Sequence, residues 1–132
     1  MNNKILKSVE LLTADKNFAV GNDIVFIPDF AKSLTPLFKQ KVYTDAEIEY
    51  CNQFDNSLLR YASTWAAKEA VYKAVKQLNS AALPFKKIEI SRDKIAGKPE
   101  VTLPKTQIPI SISLSIAHDG DYAWAIAIAE KT

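Results

Sequence analysis

The nine residues from Trp65 to Lys73, Trp-Ala-Ala-Lys-Glu-Ala-Val-Tyr-Lys, constrain this chain more than any other part of it. They lie in an apolar segment long enough for a helix, yet they place a carboxylate and an ammonium where a core would exclude them. With about 100° of rotation per residue, Glu69 and Lys73 share one face with Leu58, Ala62, Trp65 and Ala66. An ionised carboxylate is costly to bury unless it is paired or holds a metal, so the pattern calls for a salt bridge, a cation site or both. Taken alone, the two residues read as a plain i,i+4 surface ion pair, worth about 0.3 kcal/mol.

At 132 residues with 48% hydrophobic content, the chain is expected to form a single domain spanning 1–132, with a real core. Its aliphatic runs are too short to span a bilayer, and the start, Met1-Asn2-Asn3-Lys4, lacks a secretory signal, so a soluble cytoplasmic protein without a membrane partner is expected. The lone cysteine, Cys51, permits no internal disulfide, thiolate zinc cluster or paired redox motif. A net charge of +2 with dispersed lysines is too weak a footprint for a dedicated nucleic-acid binder. It still suits an acidic protein partner or a phosphorylated small molecule.

Hydrophobic patterning predicts an α+β fold, an antiparallel sheet packed on one long helix. Ile5, Leu6, Val9 and Leu12 suggest a short leading helix or strand. Residues 19–27 read as a strand closed by Pro28, with Asp23 inside it or at its edge. Thr44-Asp45-Ala46-Glu47 has the capping-box form and predicts a helix to about Phe54. The long helix is predicted over 57–79; its alanines 62, 66, 67, 70 and 74 admit a close neighbour, and Val71, Val75 and Leu78 lie opposite Glu69. A helix apolar around most of its circumference should be buried twice, by its own sheet and by another element or subunit. Strands are expected at 85–91 and 99–103, joined by a turn at 93–98 containing Gly97. At the end, Ile110, Ile112, Leu114 and Ile116 alternate with serines, and Tyr122, Trp124, Ile126 and Ile128 alternate with alanines, predicting a hairpin with one bulky and one small face. Trp65 and Trp124 read as core or interface aromatics.

Four segments occur together in order: Gly21-Asn22-Asp23-Ile24-Val25, the Trp65–Lys73 helix, Gly97-Lys98-Pro99, and Ser115-Ile116-Ala117-His118-Asp119. This ordered set resembles the 4′-phosphopantetheinyl transferases of the short holo-acyl-carrier-protein synthase type, over about residues 20–130. Residues 1–18 form an extension outside the resemblance. The resemblance implies transfer of the phosphopantetheine arm of coenzyme A to a serine of an apo acyl carrier protein, releasing adenosine 3′,5′-bisphosphate. Such phosphoryl-type chemistry asks for charge neutralisation and alignment. The resemblance implies Mg2+ held by Asp23 and Glu69, with Lys73 facing the same phosphates. Lys98 and Pro99 are implied to bind substrate, as is His118 across a subunit boundary, while Lys68 serves the nucleotide or only solvent. The proton of the incoming serine falls to Glu69 or to a metal-bound water. Relatives of this type look like homotrimers with sites between subunits.

The chain departs from that pattern at several positions. Asp29 stands where many relatives place an arginine, Phe26 where they place a glutamate, and Thr64 where they often carry an arginine. Arg60, Lys39, Lys41, Lys86 and Lys87 are candidates to compensate. These departures motivate an alternative, a turnover-deficient module of the same fold that binds a carrier protein or a nucleotide. A further alternative is an assembly protein whose apolar helix serves oligomerisation alone.

Overall fold

The computed structural model describes residues 17–92, 97–107 and 109–132. The expectation for the leading segment around Ile5 to Leu12 lies outside the described residues, as does most of the 93–98 turn. Strand β1 (Phe18–Phe26) is followed by α1 (Ile27–Ser33), α2 (Pro36–Val42), α3 (Asp45–Asn52) and α4 (Ser57–Lys76). A 3-10 turn (Phe85–Lys87), β2 (Glu89–Arg92), β3 (Pro99–Thr102), β4 (Ile110–Asp119) and β5 (Tyr122–Lys131) complete the order. All the strand pairs are antiparallel, β1-β5-β4 in one sheet and β2-β3 in another.

The long helix α4 comes closest to the larger sheet along β1 and β5, where both surfaces are built from small residues. Ala123, Ala125, Ala127 and Ala129 of β5 meet a helix carrying Ala66, Ala67, Ala70 and Ala74, all buried. Gly21 of β1 makes the closest approach: a β-carbon there would collide with the Ala70 carbonyl and stand 2.7 Å from the Ala74 nitrogen. Only glycine lets β1 press onto the helix backbone. That contact sets the height of Asp23, two residues along the same face.

The predicted capping box is present: Thr44 Oγ1 accepts from Glu47 N at 3.2 Å, and Glu47 Oε1 accepts from Thr44 N at 2.8 Å. Asn56 caps α4, accepting from Leu59 N at 3.2 Å. Helices α1 and α2 were not expected, although Pro28 and Pro36 sit in their first turns, where a missing N–H costs nothing. The strand expected from Phe85 begins instead as a 3-10 turn, because the Phe85 and Ile88 carbonyls turn inward to accept from Lys68.

The terminal hairpin differs from expectation in one respect. Its register pairs Ser113 with Ile128 and Leu114 with Ala127, so the bulky residues of the two strands lie on opposite faces. The β4 aliphatics point at α4, while those of β5 point away. The circumference of α4 is closed within one chain by the sheet, the short helices and β2, so its double burial needs no second subunit. The surplus apolar surface is instead the sheet's outer face, where Phe18, Val20, Ile24, Trp124, Ile126 and Ile128 are each 38–62% exposed. Among the described residues, no helix is long and apolar enough to cross a membrane.

Candidate active site

Two hollows flank α4, and the charged residues of the Trp65–Lys73 segment divide between the first of them and the interior. The first hollow is an open cleft of about 380 Å³ between β1, α1 and α4, lined by Asp23, Asp29, Trp65 and Glu69 among others. Asp23 reaches it from the helix-facing side of β1 and Glu69 from α4. Lys73 lies 3.0 Å from Asp23 Oδ1 and also donates to the Asn22 carbonyl at 3.2 Å. The structure brings Asp23 and Glu69 together on this cleft, and Lys73 reaches Asp23 from beside it. The ion pair, however, runs from Lys73 to Asp23 across the helix–strand contact rather than to Glu69 along the helix. Burial raises the Glu69 pKa above the ordinary carboxylate range, and the neighbouring Asp23 charge raises it further against the opposing pull of Lys73. Two like charges converging in a half-buried cleft leave an unmet demand for positive charge.

That demand bears on the implied magnesium. Among the described residues there is no cluster of three or more metal-type side chains. Two carboxylates fit a hard cation that completes its shell with phosphate and water oxygens. Asp23 and Glu69 therefore suit magnesium, and poorly suit a metal requiring an all-protein cage.

The second hollow is a cavity of about 550 Å³ between α3, α4 and β2, extending to Gly97. Arg60 and Arg92 line it. The Arg60 guanidinium sits 4.1 Å from the Phe54 ring centroid and Arg92 6.0 Å from that of Tyr50, and the two rings themselves meet edge-on at 5.1 Å. Thr64 also lines it, its hydroxyl donating to Arg60 O at 2.9 Å. Of the residues expected to offset the missing arginine at 64, Arg60 stands in this cavity, whereas Lys39 stacks over Tyr61 and Lys86 donates to the Gln40 carbonyl. Sequence reading missed Arg92, Tyr50 and Phe54, which share the cavity only through the packing of β2 on α3. Gly97 has φ +67° at the cavity edge, the exposed Lys98 follows it, and Pro99 opens β3.

Lys68 corrects the expectation. Rather than meeting solvent or a nucleotide, its ammonium is wholly buried, 2.7 Å from Glu47 Oε1, and donates to the Phe85 and Ile88 carbonyls. Glu47 Oε2 in turn accepts from Ile90 N at 2.8 Å. Burial pulls the Lys68 pKa down and Glu47 opposes that pull. His118 lies apart from the carboxylates, exposed at the hairpin end beside Ile24, Tyr122 and Trp124. Ile24 borders both this hollow and the acidic cleft.

An alanine-faced sheet packed on a long helix, with two acids meeting at the strand–helix contact, makes this an α+β protein with an acidic cleft. A model of the 4′-phosphopantetheinyl transferase superfamily matches residues 19–127. The holo-[acyl-carrier-protein] synthase of Chlamydia trachomatis serovar L2 is 36% identical over 120 residues, covering 86% of this chain and 99% of that relative. The enzyme of the same name from Wolbachia pipientis wMel is 36% identical over 83% of this chain and 91% of its own length. Among solved structures, the Chronobacterium ammoniagenes ACPS-CoA complex superposes with a TM-score of 0.77 at 28% identity, covering 89% of this chain and 99% of that one. Helicobacter pylori holo-[acyl-carrier-protein] synthase in complex with coenzyme A gives 0.71 at 31% identity, covering 84% and 99%. The chain belongs to the 4′-phosphopantetheinyl transferase superfamily and is an enzyme of its holo-[acyl-carrier-protein] synthase type.

Proposed function

We propose that this enzyme transfers the 4′-phosphopantetheine group of coenzyme A to a serine hydroxyl of an apo acyl carrier protein, with magnesium, releasing adenosine 3′,5′-bisphosphate. The observation that carries the reading is the convergence of Asp23 and Glu69 on one open cleft, with Lys73 bridging to Asp23. Asp23 and Glu69 hold the cation, which when bound neutralises charge on the diphosphate. Lys73, half-exposed, sets its ammonium toward the same phosphates. The serine oxygen bonds to the pantetheine-side phosphorus as the bond from that phosphorus to the bridging oxygen breaks, and the adenosine 3′,5′-bisphosphate leaves with that oxygen. The Glu69 carboxylate, which lines the cleft the hydroxyl must enter, takes the serine proton. The nucleotide end lies in the cavity of Arg60 and Arg92, whose forked donors match a phosphate and whose aromatic neighbours match a ring. Lys98 and Pro99, beside Gly97, border that end.

The assembly is a homotrimer closed by the sheet's outer face. Support comes from the exposed apolar residues of β1 and β5, more than a solitary chain leaves in water. His118 stands at the edge of that face, where it meets coenzyme A held by a neighbouring subunit. Trp124→Glu should dissociate the trimer and lower transfer at least about tenfold, and sedimentation that still finds trimers would break this assignment. The function itself is tested by incubating the protein with coenzyme A, magnesium and a panel of apo carriers, then weighing the carriers. A phosphopantetheine mass gain is expected, and tight coenzyme A binding with no adduct on any carrier would favour a binding module that has lost turnover.

A further inference from the structure

We propose that Gln77, outside the cleft, is a positioning residue that sets Asp23 opposite Glu69 by locking β1 to α4 in register. The inference rests on the reading of Asp23 and Glu69 as the cation site of the transfer reaction. The two acids ride on different elements, Asp23 on β1 and Glu69 on α4, so their separation is fixed only as well as strand and helix are fixed against each other. Where β1 meets α4 both surfaces are small, with Gly21 lying on the helix backbone at Ala70 and Ala74. Such a contact brings the two elements close. With no large side chains interlocking, it offers little resistance to sliding along the strand.

Two hydrogen bonds, one on either side of Gly21, supply that resistance. Gln77 Nε2 donates to the Val20 carbonyl at 2.8 Å, and Lys73 Nζ donates to the Asn22 carbonyl at 3.2 Å. β1 is the edge strand of its sheet, paired with β5, and α4 serves these carbonyls as a further strand would. The spacing matches on both elements. Residues 73 and 77 are one turn apart, about 6 Å along the helix, and residues 20 and 22 are about 6.6 Å apart along the strand. A slip of one residue would break both bonds at once. Carried one turn further toward the start of α4, the same spacing brings residue 69 level with residues 23 and 24, and Asp23, Ile24 and Glu69 all line the cleft. The Gln77 amide is itself held, donating also to the Lys73 carbonyl at 3.1 Å. Lys73 belongs to the proposed transfer site, whereas Gln77 lies about 12 Å along the helix from Glu69 and is not among the cleft's lining residues. Its influence on the reaction passes through the geometry of the two acids.

The test compares three substitutions in the whole chain. Gln77→Glu keeps the side chain's shape but turns an acceptor toward the Val20 carbonyl, Gln77→Leu removes the donor, and Gln77→Lys restores one. None touches the backbone bonds by which Gln77 caps α4 at Ala74 and Val75. Each variant is measured for kcat, for KM of an apo acyl carrier protein, for Tm, and for magnesium affinity by titration calorimetry without coenzyme A. Gln77→Glu and Gln77→Leu should lower kcat about fivefold and weaken magnesium by a similar factor, because a small misplacement of reacting groups costs rate. KM for the carrier should stay within about twofold and Tm within about 3 °C. Gln77→Lys should recover most of both losses. Unchanged kcat and magnesium affinity in Gln77→Glu would overturn the inference. So would losses that follow a fall in Tm and are not recovered by Gln77→Lys, since Gln77 would then be a stability contact alone. Absence of transfer by the unmodified enzyme, or of magnesium binding to it, would instead overturn the proposed function, and this inference with it.

Discussion

Lys68 and Glu69 are consecutive residues of one helix, both charged, and the protein treats them in opposite ways. The Lys68 ammonium is sealed in the interior with Glu47 and two carbonyl oxygens. Glu47 is saturated in turn by the Thr44 and Ile90 amides, so each formal charge there is met by the protein itself. Glu69 faces an open cleft beside a second carboxylate, and its pKa is pushed up by burial and by the Asp23 charge, which Lys73 only partly offsets. The first arrangement joins α3, α4 and β2 and is architecture. The second holds an electrostatic deficit in place, and such a deficit is what a ligand's charge can fill.

Neutralising the unmet charge should have the largest effect. Glu69→Gln keeps the shape of the side chain but removes a proposed cation ligand and proton acceptor, so transfer should fall at least about 10³-fold, roughly 4 kcal/mol in the barrier. The cation-free variant should be no less stable than the parent, and about 2 °C higher in Tm, because the repulsion from Asp23 is gone. Paired activity and calorimetric measurements check both halves. Loss of activity accompanied by loss of fold would place Glu69 on the same side of the division as Lys68.

The opposite outcome is expected one residue earlier. Lys68→Met removes the counter-ion of Glu47 and leaves that buried carboxyl group to its two amide donors alone, which should cost about 3–5 kcal/mol of stability and lower the urea midpoint accordingly. What activity remains should track the folded fraction. If Lys68→Met instead unfolded at the parent's midpoint while KM for coenzyme A rose, Lys68 would be a substrate contact and the contrast would fail.

The contrast was only half legible in the sequence. The spacing of Glu69 and Lys73 fixed their shared face, and the Gly21-Asn22-Asp23 strand supplied the second acid, because local periodicity decides both. The capping box at Thr44 was equally plain. But Glu47 reads as a cap residue, and nothing in the order of residues says that its second oxygen reaches β2 and that its first also meets Lys68, 21 positions away. That pairing is tertiary, as is the meeting of Arg60 with Arg92. The hairpin faces went astray for a related reason: alternation gives each strand two faces, but the register across Gly120 decides which faces coincide, and it crossed bulky with small. Helices α1 and α2 are short, each seven residues, and their prolines read as breakers as readily as first-turn residues.

The smallest effect separates the two regions by pH. A carboxyl whose pKa is raised in the folded state prefers its proton there. Ionising Glu69 therefore lowers the stability of the cation-free protein as pH rises through the titration, and stability is regained below it. Cation binding has the opposite sign, because it requires the ionised form. Magnesium affinity should fall as pH drops through the raised Glu69 pKa, beginning above the ordinary carboxylate range and approaching about tenfold per pH unit below it. Titration calorimetry with magnesium at a series of pH values reads this directly. Glu69→Gln should weaken binding and flatten the dependence, whereas Lys68→Arg, which preserves the buried charge, should leave the profile in place. A magnesium affinity independent of pH from mildly acidic to neutral solution would mean that the proton and the cation do not compete for Glu69, and the cleft would lose its claim to the metal.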